Sequence, residues 1–491
     1  MQKIQPHYDL VVIGAGPAGT PVAMEFAKLD SSKKIALIDT LGELGGECLF
    51  HGCIPSKIME ASAKAIKELE NLKAFGVEIE ERHHKLIWEK VKERKEKILN
   101  KRTNSAKEIA NSIGNIDIIK AWATFEDTQR LKLSFEEDKR EIITFDKALV
   151  ATGSKANIAT YKGDALNEII SNDEFFEKME LPQSLTIIGA GAIAIEFAQI
   201  FSSLGVEINL LIRGDSILKN IDNEASTFLL NKLTKEINII LNATIEEINH
   251  KNKLLEITYS QNAEIKTLLT QKVLNAIGRR PNIDKLKLEN AKVTFSKKGI
   301  VTSKVMQTSN KNIFANGDVV ENFPKFAHTA QYTSHIIAQN LFLEHNFFAP
   351  DFSKNSWVLF SMPNVASAGI SEAEAREKSI EVIVDKFEFS TEAKSQIENE
   401  DFGYLKFIVE KKSHKIIGIS ILHNEANMIA GEASLIISEG LTLKALIDSI
   451  HPHPTISEAF VMLSKKMMSE IMLKKLDNKV VQLLLKIERF L

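Results

Sequence analysis

Twice along these 491 residues, a β-rich apolar run enters a glycine turn, continues into a helix-period segment and ends in a second apolar run. Each copy reads as a βαβ unit, which commits much of the chain to parallel, doubly wound α/β architecture. The first copy is YDLVVIGAGPAGTPVAMEFAKLDSSKKIALIDT. Its strand runs from Leu10 to Ile13, its helix face is Val22, Ala23, Phe26 and Ala27, and its second strand runs from Ile35 to Ile38. Gly14 allows the tight turn, Gly16 lets the backbone approach a pyrophosphate, and Gly19 lets the helix pack close to the strand. The helix N-terminus offers N–H groups and the positive end of its dipole to phosphates. Asp39 stands where it can accept hydrogen bonds from ribose hydroxyls.

The second copy is SLTIIGAGAIAIEFAQIFSSLGVEINLLIR. Gly189 and Gly191 hold the first two glycine positions and Ala194 takes the third. The second strand ends in Arg213 where the first copy has Asp39, which inverts the local charge. An acid there suits a free 2′-hydroxyl, whereas an arginine suits a 2′-phosphate. Lys219 adds a second positive candidate, and the competing reading makes both residues solvated surface charges. The chain is therefore expected to hold two nucleotides, the second leaning toward NADP(H).

A chain of this length needs two to four domains. Hydrophobic residues make up 44% and charged residues 26%, an ordinary soluble composition. The net charge of -3 gives no footprint for a nucleic-acid partner. No apolar run reaches transmembrane length, and the leading MQKIQPHYDLVVIG has too short an apolar run for a signal peptide. A cytoplasmic protein is expected. Only two cysteines occur, Cys48 and Cys53, in GGECLFHGCIPSK. In a reducing compartment a lone pair is more often catalytic or metal-binding than a structural staple. Two thiolates and His51 fall short of the four ligands of a closed zinc site, so no metal is expected and redox chemistry is favoured.

Residues 56–113 read as two or more helices, the second solvated and packed by one face. Short strands follow to about residue 150. From about 350, strand-like and helical stretches give a third, α+β unit.

Several ordered motifs carry a resemblance to one family over roughly residues 8–463. GAGPAG with Asp39, GGECLFHGCIPSK, LVATGS, AIGRRPN, IFANGDV and HPHPTISE occur in that order. The chain resembles the class I flavin-dependent pyridine nucleotide-disulfide oxidoreductases, the family of dihydrolipoyl dehydrogenase, glutathione reductase and mercuric reductase. The resemblance implies FAD at residues 1–150 and 278–348, NADP(H) or NAD(H) at 151–277, and a C-terminal α+β dimerisation domain at 349–463. It assigns Gly46, Thr152, Gly153, Gly317 and Asp318 to cofactor binding with the first glycine turn. Gly278, Arg279 and Glu196 join the second. It also implies that Lys57 and Glu196 pair beside the flavin and that the chain is a homodimer.

The family implies that electrons pass between a pyridine nucleotide, the flavin and a Cys48–Cys53 disulfide. Cys53 would be the sulfur nearest the flavin and Cys48 the one that exchanges with substrate. Because only a thiolate attacks, the exchanging thiol is expected to have a depressed pKa. His453 is the implied base, reaching the partner subunit's disulfide, with Glu458 to orient it. His451 either supports that histidine or is structural.

The chain departs from the family pattern at Glu47, where a threonine is usual. A carboxylate close to a pyrophosphate is expected to point away or to be bridged. Phe50 and His51 replace a common Asn-Val, and Ala192 stands where some members carry a shielding tyrosine. The cysteine count excludes the extra thiol pairs of mercuric reductase and of high-molecular-weight thioredoxin reductase. HPHPT and FAHTA resemble dihydrolipoyl dehydrogenase most, while Arg213 and Ala194 resemble the glutathione reductase branch. A lipoyl-like or other small dithiol/disulfide is the expected substrate. The rivals are a flavin NAD(P)H oxidase or quinone reductase with an ancillary disulfide, and a non-catalytic flavoprotein scaffold. Residues 464–491 read as a basic amphipathic helix through Leu473, Leu476, Val480, Leu484, Ile487 and Leu491. Packing on its own dimer is favoured over contact with a membrane surface or a partner.

Overall fold

The computed structural model describes residues 4–78, 85–157 and 159–476. Two compact units divide the chain, one formed by residues up to 217 with 233–350, the other by 218–232 with 351 onward.

In the first unit, strands β1 (His7–Ile13), β2 (Ile35–Asp39) and β3 (Ile116–Lys120) lie parallel, with β6 (Arg140–Val150) on the far side of β1. Ile313–Ala315 adds a further parallel strand to the end of β6. The antiparallel strands β4 (Trp122–Phe125) and β5 (Arg130–Ser134) extend the sheet beside the first half of β6. Near-continuous apolar runs suit strands covered on both faces. Helix α1 (Thr20–Leu29) buries Val22, Ala23, Phe26 and Ala27, the face its spacing predicts. The functional loops all leave the carboxyl ends of parallel strands. Gly14 follows β1, residues 40–46 follow β2, Ala151–Gly153 follows β6, and Asn316–Asp318 follows Ile313–Ala315. Ligands of open α/β sheets bind at such ends.

A second parallel sheet has the order 238–240, 207–211, 184–188, 272–275, 169–170. The chain leaves the first sheet through β7 (Ser154–Ala156) and returns through Arg279–Pro281, and these two segments pair antiparallel. Between the glycine turn and β3 come α2 (Gly46–Phe50), α3 (Cys53–Asn71) and α4 (Trp88–Ile113). The α4 helix is mostly solvated, as expected, but Lys95 is buried. Its Nζ donates to the Phe176 carbonyl at 3.0 Å, and Trp88 Nε1 donates to the Met179 carbonyl at 2.7 Å. Both carbonyls lie at the end of α5 (Asn172–Lys178), where helical C=O groups lack intrahelical partners. Apolar periodicity could not show a lysine serving as a helix cap.

The second unit holds a five-stranded antiparallel sheet in the order 356–359, 364–369, 416–423, 404–410, 382–388. Phe389, Phe407, Ile421 and Phe460 are buried in its core with helices Ala426–Ser438 and Glu458–Leu476. This is the α+β unit the sequence predicts. The expected C-terminal helix is met only to Leu476. Met467 and Ile471 are buried, Leu473 and Leu476 are exposed, and Val480, Leu484, Ile487 and Leu491 lie outside the described residues. Among the described residues no helix is long and apolar enough to cross a membrane.

One buried side chain fastens the first unit around its glycine turn. Asn316 Nδ2 donates to the carbonyls of Ala18 and Ala330 at 3.1 and 3.0 Å and to Ser334 Oγ at 3.0 Å. Replacing it with Ala removes the donor and leaves its acceptors buried. Asn316→Ala is expected to destabilise the first unit by about 2 kcal/mol, read as a lower denaturant midpoint. An unchanged midpoint would refute this role.

Candidate functional site

The first cradle is made by backbone. Gly14 has φ +106°, and a Cβ there would lie 2.3 Å from the Ala151 carbonyl oxygen. Gly45 N–H donates to the Ala15 carbonyl at 2.8 Å. Gly46 has φ +56°, and its Cβ would come within 2.6 Å of the Gly16 Cα. The turn before α1 and the start of α2 are thus in direct contact, and any side chain would separate them. Asp39 Oδ2 accepts the Ala15 N–H at 3.0 Å and Oδ1 the Leu41 N–H at 2.9 Å. Burial still raises its pKa above the ordinary aspartate value. Asp39 therefore braces the turn, and its remaining lone pairs suit a ribose. Thr152 Oγ1 donates to the Asn282 carbonyl at 2.8 Å, and Asn282 N–H donates to the Gly153 carbonyl at 3.0 Å. Ser154 Oγ donates to Asp318 Oδ2 at 2.8 Å, beside Gly317. A glycine turn, a helix start, an acid after the second strand and a further carboxylate fit a dinucleotide such as FAD.

The second cradle repeats the plan. Gly189 N–H donates to the Leu211 carbonyl at 3.1 Å, as Gly14 N–H does to Ile38 at 2.8 Å. Gly191 caps helix α6 (Ala192–Ser203), Ala194 is buried, and a Cβ on Gly191 would meet open space. Arg213 is exposed and, among the described residues, forms no ion pair. Lys219 is exposed too, but its segment is part of the second unit. The loop at Gly278 packs against Asn157, whose N–H donates to the Gly278 carbonyl at 3.0 Å. Arg279, expected at a cofactor, is engaged by protein. Its Nε donates to Ser154 Oγ at 2.9 Å, Nη2 to the Ser154 carbonyl at 2.8 Å, and Nη1 stands 3.4 Å from Asp173 Oδ1.

The cysteines follow the contact between the two glycine segments. Cys48 lies in the short α2 and Cys53 opens α3, after Gly52. Both thiols are free and hydrogen-bonded to each other. Cys53 is pushed down to about 7, by the Cys48 hydrogen bond first and then, against burial, by the Lys57 charge. Its place at a helix N-terminus acts in the same sense. The Cys48 thiol is pushed up, first by its hydrogen bond to Cys53 and then by burial. Two adjacent sulfurs favour one charge between them, and the Lys57 charge draws it toward Cys53 rather than Cys48, the thiol expected to be acidic. Lys57 Nζ lies 2.6 Å from Glu196 Oε2 and 3.9 Å from Glu60 Oε2, so the expected Lys57–Glu196 pair forms.

In the second unit, His453 Nδ1 faces Glu458 Oε2 at 2.9 Å. Glu458 also accepts the Thr455 N–H at 3.1 Å. Although burial opposes it, these bonds hold the Glu458 carboxyl below its ordinary range. His453 is largely exposed and keeps Nε2 open to proton transfer. His451 Nε2 meets Glu432 Oε1 at 2.7 Å, and its Nδ1 is 3.2 Å from Ser449 Oγ. It is braced by two neighbours of its own.

Glu47 does not point away. Its Oε1 lies 3.5 Å from Arg279 Nη2, so a protein cation stands beside it. Sequence reading missed Asn316, Ser154 and Asp173. The first two are adjacent to motif glycines and aspartates, which is a usable signal, whereas nothing in the local sequence marks Asp173. Among the described residues no group of three or more His, Cys, Asp or Glu could hold a metal ion.

Residues 8–334 match the family described as pyridine nucleotide-disulphide oxidoreductase, and 355–464 match its dimerisation domain. The chain is 30% identical over 453 residues to a dihydrolipoyl dehydrogenase of Geobacillus stearothermophilus, covering 92% of this chain and 94% of that one. A dihydrolipoyl dehydrogenase of Buchnera aphidicola is 33% identical over 454 residues, with the same coverage. Among solved structures, the Cu(II) complex of the HOCl-induced flavoprotein disulfide reductase RclA from Escherichia coli is similar. It has a TM-score of 0.82 and 25% identity, over 94% of this chain and 99% of that one.

The Lys57 charge supports the Cys53 thiolate, so Lys57→Met should raise the apparent pKa of that thiol by about one unit. Thiolate absorbance of the reduced protein against pH measures this. An unmoved titration would show that Lys57 does not reach the sulfur.

Proposed function

The chain belongs to the pyridine nucleotide-disulphide oxidoreductase family, and from that premise we propose an enzyme exchanging electrons between NADP(H) and a lipoyl-like or other small disulfide. The observation that carries this reading is the adjacent thiol pair, with Cys53 at the start of α3 beside the Lys57–Glu196 ion pair. Bound FAD, held by the first glycine turn, Gly46, Asp39, Thr152, Gly153, Gly317 and Asp318, would supply the two-electron relay between nucleotide and thiols.

The residues of the chain handle the sulfur and proton steps. Cys48 holds its proton more tightly than Cys53, so a base must remove it before exchange. His453 takes that proton on Nε2, while Glu458 fixes Nδ1 as the donor side of the ring. The Cys48 thiolate attacks one sulfur of the substrate disulfide, and the other sulfur leaves with the proton from His453. The Cys53 thiolate then attacks Cys48, forming the Cys48–Cys53 disulfide and releasing the second substrate thiolate. Two thiols are oxidised to one disulfide and one substrate disulfide is reduced to two thiols. The reverse sequence oxidises a dihydrolipoyl-type dithiol.

His453 lies in the region matching the dimerisation domain, which supports a homodimer in which each His453 serves the other subunit's cysteines. We assign 1–150 and 278–348 to FAD, 151–277 to the pyridine nucleotide and 349–463 to the subunit interface. Arg213, which follows the second strand of the second cradle and forms no ion pair among the described residues, supports NADP(H).

Cys48→Ser should abolish disulfide reduction while leaving bleaching of the flavin band by the nucleotide intact. Turnover with oxygen or quinone that survives undiminished would favour an oxidase instead. Anaerobic reduction by NADPH should outpace reduction by NADH, and Arg213→Glu should lower that preference at least about tenfold, or about 1.4 kcal/mol. A wild-type preference for NADH would overturn the nucleotide assignment.

A further inference from the structure

Glu47 immediately precedes Cys48, and although its side chain is 41% exposed, one of its carboxylate oxygens is turned inward. Its Oε1 is buried and, among the described residues, receives no hydrogen bond. Arg279 Nη2 is 3.5 Å away, and His51 Nδ1 lies 3.6 Å from Oε2. The same guanidinium reaches Asp173, with Nη1 3.4 Å from Oδ1, which brings the two carboxyls together so that each acts on the other. Two carboxylates drawn together cannot both carry charge cheaply, and a proton shared between them relieves the repulsion.

The frame around the pair is well built. Asn172 Nδ2 donates to Asp173 Oδ1 at 2.6 Å and to the His51 carbonyl at 2.8 Å, joining α5 to the loop between the cysteines. Arg279 ties Asp173 to Ser154, and Ser154 ties onward to Asp318. The far end of α5 is held by Trp88 and Lys95 of α4. The other charges near the pair and Cys48 are Glu177 on α5, 3.9 Å from His51 Nε2, and Arg102 on α4, whose charge reaches Cys48. Lys57 and Glu196 act on the Cys53 side.

We propose that Glu47 and Asp173 are positioning residues that share one proton, and that this shared proton fixes the Cys48-bearing turn and limits the negative charge beside its thiol. Glu47 is held ionised by His51 and Arg279 against the effect of burial, and Asp173 is pushed up to about 7 by burial and by the Glu47 carboxylate. The proton is therefore kept below that pH and lost as pH rises through it. Above it, two carboxylates repel each other across the turn, and the added charge opposes formation of the Cys48 thiolate. The inference rests on the reading of Cys48 as the exchanging thiol only for its consequence, not for the proton itself.

Two measurements on the holoenzyme test it. In the oxidised form the Cys48–Cys53 disulfide leaves no thiol to titrate. Infrared difference spectra between pH about 6 and about 8.5 should then show a protonated carboxyl band lost with an apparent pKa near 7. The band should be absent in Asp173→Asn, whose amide can still donate to Glu47. In the reduced form, iodoacetamide labelling of Cys48, read by mass spectrometry, should lag in wild type above pH about 7 by about threefold to tenfold relative to Asp173→Asn. Absence of the titrating band, its persistence in Asp173→Asn, or identical labelling profiles in wild type and Asp173→Asn would overturn the proposal. None of these readouts requires turnover, so a failure of the substrate assignment stays separate.

Discussion

A backbone-to-backbone seam decides where the two thiols of this chain sit. Gly45 N–H bonds the Ala15 carbonyl at 2.8 Å, and Gly46 lies against Gly16 so closely that a methyl group would not fit. The glycine turn that would cradle a pyrophosphate is therefore also the surface on which the cysteine helix is seated. Because the first turn leaves a parallel strand at its carboxyl end, the seam carries the thiols to the edge where ligands of such sheets bind. Asn316 and Asp39 hold the same turn from its other sides, through Ala18 and Ala15.

Around the seam, charges are placed in compensated groups. Lys57 is shared between Glu196 and the buried Glu60, and its remaining field falls on Cys53. Arg279 serves Ser154, Asp173 and Glu47 together, in contrast to the nucleotide role its motif suggests. The Arg279 and His51 side chains offset the Glu47 carboxylate beside them, which helps a glutamate to be tolerated where a threonine is usual. The resulting asymmetry, an acidic Cys53 and a reluctant Cys48, is why the proposed mechanism calls on a base, the role proposed for the His453 that Glu458 braces.

Much of this was readable from local sequence. Strand, turn and helix boundaries near Gly14 and Gly189 follow from period and glycine placement, and the apolar face of α1 was correct residue by residue. The Lys57–Glu196 and His453–Glu458 pairs were reachable through motif resemblance. The buried Lys95, the three-way Asn316 and the Asp173 partner of Glu47 were not. Each is a polar residue whose acceptor or partner comes from a remote stretch of chain, and no periodicity records such a partner.

The sequence by itself determined two dinucleotide cradles, a single thiol pair between them and a separate α+β unit, because these depend on short-range spacing and backbone sterics. Tertiary structure alone decided which thiol is acidic, what neutralises Glu47 and where Arg279 spends its donors. Those outcomes depend on electrostatic interactions that vary with distance and burial in space, and residues 47, 173 and 279 come close only once two sheets and the paired crossover segments have formed.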